Sequence, residues 1–127
     1  MKAPKVEFEH FSFEESRYKR GKNVWFATTL LRAVKDQGCT AFEYPLAGFD
    51  LLQKGFRLDN TDDFCWHVKR MLGADYKIPI ILDDYGQVAD GFHRICHAIV
   101  DGETHVMAYR LRTMPPVDME EAEEETT

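Results

Sequence analysis

The sequence has few cysteines and no long apolar run. Its 127 residues include three cysteines, Cys39, Cys65 and Cys96, without a Cys-x-x-Cys pair. This indicates reduced thiols rather than a disulfide framework or a zinc site. No stretch approaches the roughly 18 consecutive apolar residues of a membrane span, and the first residues lack the apolar core of a signal peptide. We therefore expect a cytoplasmic protein without membrane attachment.

Basic residues are not in excess, and acidic residues are concentrated at one end. The net charge is −6, from 22 acidic and 16 basic residues. Six of the acids lie in residues 117–127, which hold no base, so residues 1–116 carry 16 of each sign. Because a neutral body offers no basic stripe, DNA binding by this chain alone is not expected. The acidic end is predicted to be a disordered, solvated tail, with docking on a protein partner as the alternative.

Apolar residues are sufficient for one core. Hydrophobic residues make up 44% of the chain and aromatic residues 13%, and in a chain of this length they favour a single core over two. We expect an N-terminal arm and helix over residues 1–41, a core over 42–116 and the acidic tail over 117–127.

Hydrophobic periodicity and capping residues predict both helices and strands. The helices are expected over residues 23–38, 60–73 and 92–100, with Asn23 capping the first and Asn60 or Thr61 the second. The predicted apolar face of the second helix consists of Phe64, Val68, Met71 and Leu72. Short strands are expected over residues 40–46, 77–82, 87–89 and 104–112. This mixture predicts an α+β protein with a small mixed sheet flanked by helices.

A glycine and two potentially cationic side chains stand where the third helix should begin. The segment reads Asp90-Gly91-Phe92-His93-Arg94. The first turn of a helix leaves backbone N–H groups for an anion, and a glycine lets a phosphate approach the main chain. A bound anion would explain His93 and Arg94 there, and Asp90 would hold a divalent cation beside it through water. The alternative is a turn followed by a surface His-Arg pair.

Three polar residues of the second helix leave two interpretations open. His67 lies one position off the predicted apolar face, so it borders either a pocket or the core. Lys69 and Arg70 either extend a basic rim for phosphate or end a solvated helix. Asp83 and Asp84 follow an apolar strand and are predicted to shape a hairpin turn rather than bind metal.

Residues 79–111, PIILDDYGQVADGFHRICHAIVDGETHVMAYRL, resemble the ParB/sulfiredoxin-like superfamily. In that superfamily a strand hairpin carries a Gly-x-His-Arg or Gly-Glu-Arg-Arg signature at the start of a helix. Residues 42–113 follow the pattern, since FEYPLAGFDL resembles the opening strand and DDFCWHVKRML the next helix. The order and spacing are also similar to those of small stand-alone ParB-like proteins. The resemblance implies a ParB-like fold for this part of the chain.

Among the branches of the superfamily, the best fit is to free-serine kinases, whose DG.HR loop holds nucleotide phosphates. The matching residues are Asp90, Gly91, His93 and Arg94. The resemblance implies binding of a nucleotide, ATP or CTP with Mg²⁺, or of another phosphorylated ligand. It also implies a kinase or NTP hydrolase reaction. The family takes its catalytic base from a glutamate near the opening strand, and no residue is assigned to that role here, although Glu43 and Asp50 lie nearby in the sequence.

Other branches of the superfamily fit less well. Phe92 stands where sulfiredoxins have their catalytic cysteine, so sulfinate reduction is not expected. Partition proteins bind the triphosphate of CTP through Gly-Glu-Arg-Arg-x-Arg, and here Phe92, His93 and Cys96 replace three of those charged residues. The alternative function is therefore a non-catalytic protein-interaction module on a ParB-like scaffold.

Overall fold

The computed structural model describes residues 3–6, 16–53, 55–56 and 58–122, which form three helices and two β-sheets. The helices are α1 (Ala27–Asp36), α2 (Thr61–Leu72) and α3 (Phe92–Val100). The strands are β1 (Arg17–Arg20), β2 (Asn23–Phe26), β3 (Phe42–Pro45), β4 (Ile80–Leu82), β5 (Val88–Asp90), β6 (His105–Arg110) and β7 (Met119–Glu120). The predicted α+β class is confirmed. None of these three helices has the length and apolarity that crossing a membrane requires.

The larger sheet is mixed and has the strand order β3-β6-β4-β5. β4 runs parallel to β6, while β3 is antiparallel to β6 and β5 antiparallel to β4. All three residues of β4 are buried, as expected for a continuous apolar run in the middle of a sheet. Pro45 lies in the edge strand β3, where a residue that lacks an N–H group is tolerated.

The smaller sheet corrects the predicted start of the first helix. Residues 23–26 form β2 between β1 and β7 instead of a helical turn, and Asn23 is therefore not a cap. Gly21, at φ 61°, turns the chain between β1 and β2, and β2 buries Val24 and Trp25. The pairing with β1 outweighs the helical spacing of the apolar residues, and α1 begins only at Ala27.

The acidic end is packed as far as the structure describes it, which corrects its assignment as a solvated tail. Met119 and Glu120 form β7 against β2. Asp118 accepts hydrogen bonds from the Phe26 amide at 2.8 Å and from the Thr29 hydroxyl at 2.9 Å. The carboxylate thus caps the positive end of α1, whose own N-cap residue supplies no side-chain acceptor. Residues 123–127 of the predicted tail lie outside the described residues.

Two apolar clusters cover opposite faces of the mixed sheet. Ile80 and Leu82 pack with Ile95 and Ala98 of α3, whereas Ile81 packs with Trp25 and with residues of α1. This alternation follows from the period of two residues along a strand. The second cluster also contains Leu111, so part of the predicted N-terminal region shares a core with the region after residue 42.

Candidate functional site

A cleft of about 710 Å³ lies between β1, α2 and the start of α3. α2 contributes one stripe of side chains to it, at the spacing i, i+3, i+4 and i+7 that places residues on one helical face. The stripe is Asp63, Trp66, His67 and Arg70. The opposite wall is formed by residues 89–93.

The orientation of α2 differs from the prediction made from its aliphatic residues. Phe64 is 57% exposed and Leu72 63% exposed, so this part of the predicted apolar face is wrong. Trp66 is the buried residue of the helix. Asn60 caps the helix as predicted, because its side chain accepts a hydrogen bond from the Asp63 amide at 2.8 Å. Because Trp66 is both buried and a lining residue, the face of α2 that packs against the protein is the face that borders the cleft.

Gly91 begins α3 with a backbone that favours glycine. Its φ is 120°, and a Cβ atom there would lie 2.5 Å from Cγ2 of Ile80. Close packing on β4 therefore requires glycine at this position. The first intrahelical hydrogen bond runs from the Ile95 amide to the Gly91 carbonyl at 3.0 Å, and Gly91, the N-cap residue, has no side chain with which to cap the helix. Gly91, Phe92 and His93 line the cleft, so α3 begins at its edge.

The structure separates His93 from Arg94, which were expected to close over one ligand. His93 lines the cleft, whereas Arg94 lies outside its lining residues. The Arg94 guanidinium contacts the Asp90 carboxylate at 2.7 Å and the Pro79 carbonyl at 2.8 Å. Arg94 therefore neutralises a carboxylate at the rim of the cleft.

The partner of the Asp90 carboxylate is Arg94, and not a second side chain of the kind that binds metal ions. In the described ranges no group of three or more His, Cys, Asp or Glu residues is arranged to hold a metal ion. The assignment of Asp90 as a magnesium ligand through water stays a prediction.

His67 and His93 form a hydrogen-bonded pair at the cleft. Nδ1 of His67 lies 2.8 Å from Nε2 of His93, and the two rings are within 15° of parallel. The Phe56 ring stacks on both, with centroids 4.1 Å from His67 and 4.9 Å from His93. Trp66 and His67 are in edge-to-face contact, with ring centroids 4.8 Å apart. The aromatic contacts and the hydrogen bond together fix the orientation of both imidazoles.

The surroundings of His93 keep its ring neutral. Burial, followed by the charge of Arg70 and the neighbouring His67, lowers the pKa of His93 to about 4. At neutral pH the ring therefore offers a hydrogen bond rather than a positive charge. Arg70, the cation whose charge lowers the pKa of His93, donates a 2.7 Å hydrogen bond to the Ser16 hydroxyl and lies 5.2 Å from the centre of the Trp66 ring.

Asp83 links the two sheets next to this region. Its buried carboxylate accepts hydrogen bonds from the Tyr18 hydroxyl at 2.7 Å and from Arg20 at 3.2 Å. It also accepts hydrogen bonds from the Tyr85 and Gln87 amides, each at 2.9 Å. These bonds confirm that Asp83 shapes the hairpin turn, as predicted. Burial raises the pKa of Asp83, but these hydrogen bonds outweigh burial and leave its pKa below the ordinary value.

Other residues considered for chemistry lie elsewhere. Burial raises the pKa of the Cys96 thiol, which disfavours the thiolate that a nucleophile needs. Glu43 and Asp50, near the opening strand, are not among the residues that line the cleft. The Glu43 carboxylate instead lies 3.7 Å from His105.

The sequence prediction missed Phe56 and Trp66 and left His67 and Arg70 undecided. The signal for the α2 residues was their i, i+3, i+4, i+7 spacing, which was present beside a competing aliphatic pattern. Phe56 precedes the helix in a segment without periodicity, and nothing in the sequence points to it.

Comparisons with protein-family models, curated proteins and solved structures found no match to this chain.

Proposed function

We propose that the cleft binds a nucleotide or another phosphorylated small molecule, with a phosphate group at the start of α3. The observation that carries the proposal is that the first turn of α3 opens into a cleft that also contains Arg70. Helix amides attract an anion, and a guanidinium adds charge-assisted hydrogen bonds. Gly91 and His93 keep the predicted role of contacting the phosphate, while Arg70 takes the role expected of Arg94.

The aromatic side chains of the cleft favour a nucleotide among phosphorylated ligands. Phe56 lines it and is only partly buried, and an aromatic ring supplies flat surface against which a nucleobase stacks. ATP or CTP with Mg²⁺ remains the proposed ligand. Mg²⁺ in nucleotide sites is held largely by phosphate oxygens and water, so the pairing of Asp90 with Arg94 is compatible with a magnesium nucleotide.

The proposed relationship of residues 42–113 to the ParB/sulfiredoxin-like superfamily is supported by the order of elements. The hairpin of β4 and β5 leads directly into α3, and β6 then returns beside β4. A strand hairpin, a helix and a closing strand in this order are what the sequence resemblance implies.

Titration calorimetry of the full chain with inorganic phosphate, ATP, ADP, CTP and GTP, each with magnesium, tests ligand binding. We expect Arg70→Gln to weaken the affinity for the best ligand at least about tenfold, because a charge-assisted hydrogen bond contributes about 1.5–3 kcal/mol. Arg32→Gln is the matched control, since Arg32 is exposed on α1 and does not line the cleft. Absence of binding by all five compounds, or an unchanged affinity of Arg70→Gln, would contradict the proposal.

A second candidate function, a protein-interaction module, is favoured by the turn between β3 and α2. Leu51 is 73% and Leu52 90% exposed, and adjacent exposed aliphatic residues are typical of a contact surface. We expect the double substitution Leu51→Ser/Leu52→Ser to abolish recovery of a protein partner in a pull-down while preserving the melting temperature. Equal recovery by the variant and the original protein would eliminate this turn as a contact surface.

A further inference from the structure

One ring nitrogen of His93 faces the cleft without a partner. Its Nε2 atom is engaged with His67, and no contact within the described parts of the chain involves its Nδ1 atom. The same parts contain no buried side-chain nitrogen or oxygen that lacks a hydrogen bond. The Nδ1 atom of the half-buried His93 therefore reaches solvent, and the cleft is the solvent space that His93 lines.

The hydrogen bond to His67 can form in two tautomers, which differ in whether this atom carries a hydrogen. A neutral imidazole carries one hydrogen, so when Nε2 donates to His67, Nδ1 holds a lone pair. Phe56 stacks on both rings and holds them within 15° of parallel. When Nε2 is the donor, Nδ1 is therefore a proton acceptor beside the start of α3; when His67 is the donor, Nδ1 carries the hydrogen instead.

The charges around His93 connect its basicity to the ligand. His67 and Arg70 approach it from α2, and Asp90, paired with Arg94, lines the same part of the cleft from β5. Without a ligand, burial and the charge of Arg70 keep the pKa of His93 at about 4. A phosphate beside Arg70 offsets that charge and shifts the pKa of His93 upward, towards the range in which a general base is most effective.

We propose that His93 is the general base for phosphoryl transfer from a nucleoside triphosphate to water, and that His67 is its positioning residue. This inference rests on the proposed function. The water oxygen forms a bond to the terminal phosphorus atom while the bond from that phosphorus to the bridging oxygen breaks. The nucleoside diphosphate leaves with the electron pair, and the proton of the water passes to Nδ1 of His93 and then to solvent.

Release of phosphate from the triphosphate that binds in calorimetry tests the base. In His93→Gln the amide keeps a polar group near the position of Nε2 but supplies no basic nitrogen. We expect its hydrolysis rate to fall about 100-fold while its affinity for the nucleotide is preserved. His105→Gln is the control, because His105 is exposed on β6 and does not line the cleft. Equal hydrolysis by His93→Gln and the original protein would overturn the inference.

His67 is tested by variants that keep or remove its acceptor. We expect His67→Ala to slow hydrolysis about tenfold, and His67→Asn, whose side-chain oxygen can take the place of Nδ1, to restore most of the rate.

Nitrogen NMR of the full chain supplies a readout besides activity. In the original protein the hydrogen of the neutral His93 ring should lie on Nε2, whereas in His67→Ala it should exchange between the two ring nitrogens. A hydrogen fixed on Nδ1 of His93 in the original protein would overturn the inference without any variant.

The outcomes separate this inference from the function on which it rests. Nucleotide binding without detectable hydrolysis would overturn the role of His93 and leave ligand binding intact. Absence of nucleotide binding would overturn both. Binding with a hydrolysis rate that depends on His93, and on the acceptor at position 67, would support both.

Discussion

Gly91 and Arg94 have structural roles that do not require a ligand. A side chain at position 91 would collide with Ile80, and Arg94 forms an ion pair with Asp90 four residues before it. Consecutive residues of a helix point roughly 100° apart, so His93 and Arg94 are directed to different surroundings. The ligand hypothesis therefore depends on the other residues that line the cleft with His93, among which Arg70 supplies a positive charge and Asp59 and Asp63 supply negative charges.

Asp83 should make stability depend on pH in a predictable direction. Its pKa is lower in the folded protein than the ordinary value of 3.8. The stabilisation is therefore present above that ordinary value and is lost as the pH falls through the lower folded value. Asp83→Asn replaces charged hydrogen bonds to Tyr18 and Arg20, and we expect it to lower the free energy of unfolding by about 2 kcal/mol at pH 7.

Urea unfolding of the original protein and of Asp83→Asn from pH 7 down to pH 3 measures this effect. The difference in free energy of unfolding should be largest at neutral pH and should begin to narrow as the pH falls below the ordinary pKa of 3.8, because the unfolded chain then binds a proton at Asp83 before the folded protein does. Because the two proteins share all other carboxyl groups, the titration of those groups cancels in the difference between their free energies of unfolding. A difference that stays constant over this range would show that the charge of Asp83 contributes nothing.

At the scale of elements, predictions succeeded where local signals agreed with one another. The helix from Thr61 has both a cap at Asn60 and acidic residues in its first turn, and the buried strand at Ile80 is short and continuously apolar. α3 also follows its prediction, since it spans Phe92–Val100. In each case the local preference and the tertiary packing favour the same structure.

Predictions failed where a partner distant in the sequence decides the structure. Residues 23–26 have helical spacing, but their backbone pairs with β1 on one side and with Met119–Glu120 on the other. Trp66 competes with Phe64 and Leu72 for the buried side of α2, and the structure buries Trp66 beside the cleft. Neither long-range pairing nor the choice between two plausible helix faces can be obtained from periodicity alone. The α2 wall of the cleft depends on that choice and therefore could not be predicted from periodicity.

For the whole molecule, the acidic end closes the smaller sheet. Arg17 of β1 contacts the Glu121 carboxylate at 2.8 Å, and the Asp118 amide donates to the Val24 carbonyl at 3.0 Å. The two ends of the described stretch 16–122 therefore meet at the smaller sheet. Arg17 also lines the cleft, so the end of the chain supports one wall of the proposed ligand site.

Two shortened chains distinguish the contribution of Asp118 and β7 to stability from that of residues 123–127. A chain ending after Pro116 lacks Asp118 and β7, and we expect a free energy of unfolding lower by at least about 1 kcal/mol, the typical contribution of a helix cap. A chain ending after Ala122 keeps both features, although it removes three of the six acids, and should unfold like the full chain. Denaturant unfolding of all three proteins measures the difference. If both shortened chains matched the full chain, the contacts of Asp118 and β7 would not stabilise the fold; if both were equally destabilised, residues 123–127 would carry the effect.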